Sequence, residues 1–548
     1  MGHKGHKKRG QILLIFAGSI LALLAITGLA LDFGQYLLQR AHARRAVDAA
    51  ALAAAAHFRG QYTDVATMRA GMEAAAREVL ALNNIDPLSM RLITTLDIDP
   101  DTGRPICNDP VKRHQDPYRH VCIPLQRKKV WVQIEASAPM AFMRIFGFDE
   151  IRFRVDATGE AAALDVVLVL DISTSMVAES QRPGESQADT VQRCNPTNSC
   201  YPFEYVRAAA KRFAERILDL PCNDPNNPAD CMEQDRMALV VFSTGWERNI
   251  TEFRGTGFVS VDSSGRVIDR AKWFHIYDSS DTSSPENINT ALSKLKVYPD
   301  ATSECADAIR NYDDTSLCPN TNIGGGLKLA GDIFSPTTPE GLAGRPDALW
   351  VVVLLTDGAA NTTFPTPEDL ISGGDADRNG IPDRPLDTLP FGYCPPPLNS
   401  MSWYSTGRPP CRDADADTVR LDPTDPNFDA DDYARYQAHY VACSPTNPDP
   451  SCAMPGQGAV IFTIGLGEAV ERIPSYDDKP HGAALLRYIA NLGDDGQLDT
   501  GTADPCFGVP YNPYVDKQCG NYYYRRSGSN LQAVFEDIAR RVFTRLSH

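Results

Sequence analysis

The spacing of apolar and polar residues changes period several times along this chain, and each change marks an element. From Ile12 to Leu31 about twenty uncharged, mostly apolar residues follow one another, the length a helix needs to cross a bilayer. The helical pattern continues through the alanine-rich stretch Val47–Ala56, and a second helix is expected over Thr63–Leu82. Period-two alternation comes next. Val130, Val132, Ile134 and Ala136 share one side, and Ile151, Phe153, Val155 and Ala157 repeat the pattern, which predicts two half-buried strands. Farther on, nearly unbroken apolar runs at 166–170, 237–242, 350–355 and 459–464 read as parallel strands buried on both faces. Between the first two, Val206, Ala210, Phe213 and Ile217 fall at helical spacing, with Arg207, Lys211 and Glu215 opposite. A last helix opens on Ser529-Asn-Leu-Gln532, a capping-box pattern. Its expected buried stripe is Leu531, Val534, Phe535, Ile538 and Val542.

These elements divide the chain into three regions of an α/β protein. Residues 1–57 hold a short tip, a transmembrane helix and its alanine-rich extension; 58–160 form a small α+β module; 161–548 form a larger α/β domain with a parallel sheet. That last region is long for one sheet with its helices. The excess falls at 177–201, 246–316 and 359–457, the last rich in Asp, Pro and Asn with little helical or strand period. All three follow strands expected to end at one edge, so they are expected to cap that edge.

Charge and cysteine usage give the chain a compartment. Lys4, Lys7, Lys8 and Arg9 precede the apolar run and favour a cytoplasmic N-terminus, although Arg40, Arg44 and Arg45 follow it closely. A cleaved secretory signal is the competing reading, but the apolar run is long for one. All fourteen cysteines lie beyond the run. Taken in order they make near neighbours: Cys107/Cys122, Cys194/Cys200, Cys222/Cys231, Cys305/Cys318, Cys394/Cys411, Cys443/Cys452 and Cys506/Cys519. Spacing does not fix connectivity, but local staples in an oxidising compartment suit it. Zinc suits it poorly, since no Cys-x-x-Cys occurs. The bulk of the chain is therefore expected outside the cytoplasm. A net charge of −17 argues against nucleic acid. No Gly-x-Ser-x-Gly elbow, His-Glu-x-x-His helix or Walker loop occurs, which argues against an enzyme.

The apolar run 166–170 ends in Asp171-Ile-Ser173-Thr-Ser175, which puts a carboxylate and two hydroxyls at the C-terminal edge of a strand. Open α/β sheets bind ligands at that edge, and hard oxygen donors suit Mg²⁺. This motif resembles the metal-ion-dependent adhesion site that opens the von Willebrand factor A domain. Asp235–Ser243, Thr321-Asn-Ile-Gly-Gly-Gly-Leu327, Trp350–Gly358 and Ala459–Gly467 resemble that family's following segments in order. The resemblance implies a doubly wound, Rossmann-like fold of about two hundred residues, here with long disulfide-stapled insertions. It also implies Mg²⁺ (or Mn²⁺) held by Asp171, Ser173, Ser175, Thr321 and Asp357. In that family the hydroxyls bind directly and the aspartates largely through water, which leaves the ion open to a partner's carboxylate.

Residues 9–56 carry a second resemblance. Arg9-Gly10-Gln-Ile, then Gly28-Leu-Ala-Leu-Asp32-Phe-Gly34-Gln-Tyr36-Leu, then Arg45-Ala-Val-Asp48-Ala-Ala-Ala-Leu-Ala are similar to TadG-like proteins of the tight-adherence (Flp, type IVc) pilus. The segment Ala138–Gly147 also resembles that family, and a long helix leading into a small sheet is the layout of pilin-like subunits. Cleavage at Gly10 is not expected, since Ile15 stands where processed pilins carry Glu. Together the resemblances imply a bacterial inner-membrane protein with one span, its N-terminus cytoplasmic and its bulk periplasmic. Its partners would be other pilus-system proteins or, if it is exported to the cell surface or pilus, a surface protein ligand. An envelope protein unrelated to pili and an envelope hydrolase are the alternatives.

One stretch in the largest insertion has chemistry of its own. Asp375-Ala-Asp377-Arg-Asn379-Gly380-Ile-Pro-Asp383 matches the first half of a Ca²⁺ loop, although Leu386 stands where the bidentate Glu belongs. A Ca²⁺ site and a solvated acidic turn are both open readings.

Overall fold

The first apolar pattern becomes one continuous helix, α1 (Lys8–Ala56). The computed structural model describes residues 8–59, 65–100, 106–123, 128–161, 163–218, 235–243, 255–298, 321–338, 341–346, 348–361, 419–423, 430–446, 448–473 and 479–545. Along α1 the large side chains from Ile15 to Leu38 are mostly exposed, and the helix is long and apolar enough to cross a membrane. Its C-terminal half is different. Ala43, Ala46, Val47, Ala50, Ala51 and Ala54 are buried. They pack against helix α2 (Val65–Leu82) and a three-stranded antiparallel sheet in the order β1 (Ser89–Thr94), β2 (Lys128–Pro139), β3 (Glu150–Ala161).

The alanine run is a packing requirement as well as a helix former. A Cβ at Gly159 of β3 would meet the Ala51 carbonyl oxygen well inside 3.0 Å, so helix and sheet backbones nearly touch there. In β2 the stripe Val130, Val132, Ile134 and Ala136 is buried as the alternation predicts. In β3 Phe153 and Val155 are buried, but Ile151, opposite Ala138 near the start of the strand, is 42% exposed. The Cys107–Cys122 disulfide closes the connection from β1 to β2. This unit comprises residues 1–162 with 543–548, and residues 163–542 form the other.

The larger unit is built on a seven-stranded mixed sheet. Its strands are β4 (Ala163–Asp171), β5 (Arg236–Phe242), β6 (Gly257–Phe258), β7 (Ala348–Thr356), β8 (Val460–Leu466), β9 (Lys517–Cys519) and β10 (Tyr522–Arg525). They lie in the order β9-β10-β8-β7-β4-β5-β6. The five central strands are parallel, and β9 and β6 pair antiparallel at the two edges. Side chains on both faces of the parallel strands are buried: Val167 and Val169 on one, Leu168 and Leu170 on the other.

Helices supply the two covers. Val167, Val169 and Val352 share a core with α5 (Ile323–Phe334), α6 (Ala430–Ala442) and α7 (His481–Asp495). On the other side, α3 (Phe203–Ile217) packs against α4 (Ile288–Lys294) and meets α8 (Leu531–Arg545), with the Phe213 and Phe535 rings 5.2 Å apart. The predicted stripes of both helices are buried. Arg207, expected to face water, is buried instead, where it pairs with Glu204 and donates to the carbonyls of Ser293 and Leu295. The capping box also differs. Ser527 accepts from the Ser529 N–H, while Gln532 reaches forward to Glu536.

Helix α6 corrects the reading of 359–457 as having little helical period. It lies at the end of that segment and buries Asp431, Asp432 and Arg435 against one another, so its charged residues belong to the inward face.

Candidate functional site

Strand order places the site. The chain leaves β4 toward β5 on one side, and β7 then pairs with β4 on the other, so connections diverge at the C-terminal ends of β4 and β7. Such a switch point leaves a crevice in an open sheet. Asp171 ends β4, and Asp357 follows the last residue of β7.

Four of the five predicted donors, Asp171, Ser173, Thr321 and Asp357, are buried, and Ser175 is half-buried. One Asp171 oxygen, Oδ1, accepts the Ser173 backbone N–H at 2.8 Å, which turns the chain back over the strand end. Its other oxygen, Oδ2, accepts the Thr356 hydroxyl at 2.6 Å. Ser173 Oγ and Ser175 Oγ are 2.8 Å apart, and Ser175 Oγ donates to Asp357 Oδ1 at 2.6 Å. Ser173, Ser175 and Asp357 thus form one hydrogen-bonded chain beside Asp171. Thr321 is held by a reciprocal pair: its N–H donates to Asn361 Oδ1 at 2.7 Å, and the Asn361 N–H donates to the Thr321 carbonyl at 3.2 Å. A Cβ at Gly358 would lie 3.7 Å from Thr321 Oγ1, so that hydroxyl stands beside the Asp357–Gly358 turn.

The electrostatics are lopsided. Burial pushes the Asp171 carboxyl above its ordinary range, against hydrogen bonds from Ser173 and Thr356 that pull it down. Burial, and then the charge of Asp171, push Asp357 well up. Among the described residues neither carboxylate has a basic partner within ion-pair distance. Two buried acids, one of them pushed up further by the charge of the other, can share a proton or a cation. Three hydroxyls beside them are neutral oxygen donors of the kind a hard divalent ion takes. The donor set therefore fits Mg²⁺ or Mn²⁺.

The other candidates fare unequally. Cys107–Cys122, Cys194–Cys200, Cys443–Cys452 and Cys506–Cys519 are disulfides. Cys222, Cys231, Cys305, Cys318, Cys394 and Cys411 lie outside the described residues, as do Asp375, Asp377, Asn379 and Asp383. His439 sits within 4.8 Å of Cys443 and Cys452, but their sulfurs are joined to each other and so are spent as metal ligands.

Pattern reading missed Thr356 and Asn361, which orient Asp171 and Thr321. A hydroxyl at the end of an otherwise apolar buried strand needs a partner, and that was the available signal for Thr356. Asn361 offered none.

Comparison with known proteins bears on the N-terminal region. Residues 10–57 match the family model of putative Flp pilus-assembly TadE/G-like proteins. A comparison with curated proteins returned no match. Among solved structures, the pilus adhesin SpaC from Lactobacillus rhamnosus GG aligns at 14% identity and a TM-score of 0.32, over 77% of this chain and 33% of that one. Proximal thread matrix protein 1 from the mussel byssus aligns at 11% identity and a TM-score of 0.26, over 69% of this chain and 48% of that one. The chain thus spans about a third of the first and under half of the second, and both superpositions are too loose to assign a fold. The segment 10–57 is thus similar to TadE/G-like pilus-assembly proteins, and it is carried on an N-terminal apolar helix fit for single-pass anchoring.

Proposed function

We propose that this protein is a membrane-anchored, exported component of a tight-adherence pilus system, and that its larger unit is a von Willebrand factor A domain that binds a protein carboxylate through Mg²⁺. The observation that carries the reading is the pair of buried aspartates, Asp171 and Asp357, set at the switch point and bridged by serine hydroxyls with no described basic partner. Ser173, Ser175 and Thr321 would hold the ion with hydroxyls, and Asp171 and Asp357 would balance its charge. A bound ion would supply an electrophilic coordination position for an Asp or Glu side chain. The site binds and does not catalyse. Thr356 and Asn361 keep the donors in place, so little rearrangement is needed on binding.

In this reading α1 crosses the inner membrane once, with the N-terminus cytoplasmic and the disulfide-bonded units in the periplasm. The TadE/G-like match supports work with other pilus components. Two versions differ in destination. An adhesin travels outward with the pilus; a scaffold stays in the membrane and organises assembly. Shearing appendages from living cells and probing the sheared and membrane fractions separates them. In either version Asp171→Ala leaves the protein anchored and stable but abolishes adherence or piliation. A variant that supports both at wild-type levels would contradict the proposal.

A further inference from the structure

Between β2 and β3 runs a short apolar loop, Ala141–Phe148, whose place relative to α1 is set by two contacts. The Asp32 carboxylate, buried on α1, accepts the backbone N–H groups of Ala141, Phe142 and Met143 at 2.7–3.2 Å. One helical turn earlier, the Phe142 ring packs on Gly28, where a Cβ would lie 2.6 Å from it. The loop is thus clamped at residues 28–32 of α1, a rise of about 6 Å. Those residues stand at the end of the Ile12–Leu31 apolar run.

The loop turns its large side chains outward. Ile145 is 79% exposed, Phe146 70% and Phe148 57%, at the level where Leu29, Leu31 and Phe33 of α1 are also more than half exposed. Its backbone, in contrast, is largely satisfied. Beyond the three N–H groups held by Asp32, those of Ile145, Gly147 and Phe148 donate to the carbonyls of Phe142, Arg144 and Met143. Exposed aromatic side chains on a hydrogen-bonded backbone are costly in water. They suit the headgroup–acyl boundary, where unsatisfied donors are penalised and apolar groups are welcome. Arg144 and Asp149, both highly exposed, pair at 3.0 Å beside them, so the loop's charged groups sit together at its rim.

We propose that Ala141–Phe148 is an interfacial membrane element that inserts Ile145, Phe146 and Phe148 into the bilayer crossed by α1, with Asp32 as the residue that positions it. The lipid face of α1 continues onto the loop, which is why lipid is its occupant. The inference rests on the reading of α1 as a span. The Asp32 clamp orients the pilin-like unit at the membrane surface, so that α1 does not act as a swivelling tether.

The test uses the full chain in nanodiscs of phosphatidylcholine and phosphatidylglycerol. A nitroxide is attached to a single added cysteine in F146C, F148C, L23C or S89C, against the labelling background of the wild type. The proposal expects labels at 146 and 148 to be broadened more by oxygen than by a nickel chelate, like the label at 23 and unlike the label at 89. In D32A the label at 146 should become nickel-accessible while the label at 23 stays in lipid. Nickel accessibility at 146 and 148 with position 23 still in lipid overturns the proposal and spares the span. Nickel accessibility at 23 overturns the span and the proposal together. Exclusion of both reagents at 146 overturns lipid as the occupant in favour of a protein surface.

Discussion

Thr356 donates its hydroxyl to Asp171 Oδ2 at 2.6 Å, so the C-terminal ends of two paired parallel strands are joined by a side-chain bond. That bond leaves Asp171 little freedom to turn away from Ser173 and Ser175. It makes Thr356 a positioning residue, one step removed from the proposed ion.

Thr356→Val keeps the side-chain shape and removes the hydroxyl. Partners that orient metal ligands typically contribute 10–100-fold in affinity. Mn²⁺ affinity measured by calorimetry should fall roughly 10–100-fold, while thermal unfolding of the metal-free protein changes little. Unchanged affinity would mean that Asp171 is not oriented through this hydroxyl.

At the opposite end of β4, Asp165 is fully buried and takes Arg236 at 2.8 Å and Arg345 at 2.6 Å. Two guanidiniums lose their counterion in Asp165→Asn. Breaking a buried pair from one side costs about 3–5 kcal/mol, so the denaturation midpoint should fall sharply. Mn²⁺ affinity of the folded fraction should not change, because Asp165 and Asp171 stand at opposite strand ends. A neutral effect on stability would show that the network is dispensable.

Much of this architecture is legible in the sequence. The runs 166–170, 351–355 and 461–464 are buried on both faces, so hydrophobicity alone reveals β4, β7 and β8. The stripe Val206, Ala210, Phe213 and Ile217 reveals α3. The proposed metal donors stand out because Asp-x-Ser-x-Ser sits next to such a run. Elements whose polar groups neutralise one another inside the fold stayed hidden. Helix α6 carries Asp431, Asp432 and Arg435 inward, and Arg207 satisfies buried carbonyls, where a periodicity argument sends charge to water. The bond from Asp32 to the loop at 141–143 spans more than a hundred residues and has no local pattern.

Gly159 is where α1 meets β3. Gly159→Val places carbon atoms where the Ala51 carbonyl oxygen already sits. Overpacking of this kind typically costs about 1–3 kcal/mol. Hydrogen exchange over Ala43–Ala55 should accelerate in the variant, whereas the sheet of the larger unit keeps its protection. Equal acceleration in both units would contradict a local contact.

Acid should weaken the larger unit through its buried histidines as pH falls below 6.5. His439 is buried, and burial lowers its pKa to about 4 from an ordinary 6.5. Its Nδ1 accepts the Ala453 N–H, and its Nε2 meets the Tyr488 hydroxyl. The unfolded chain binds the proton first, so the stability of the neutral form is present above pH 6.5 and is lost as pH falls toward 4. His275, lowered by burial to about 4, adds a second proton over the same window. His439→Gln should flatten, though not abolish, the fall in unfolding temperature between those pH values. An unchanged slope would show that His439 is not held neutral.

The most direct test of the account is a calorimetric titration of Mn²⁺ into the full-length protein in nanodiscs, wild type and Asp171→Ala side by side. The account predicts one ion per wild-type chain, displaced by Mg²⁺, and no saturable binding in a variant that unfolds at a comparable temperature. Binding of the same stoichiometry and affinity in Asp171→Ala would contradict it, because the ion would then be held elsewhere.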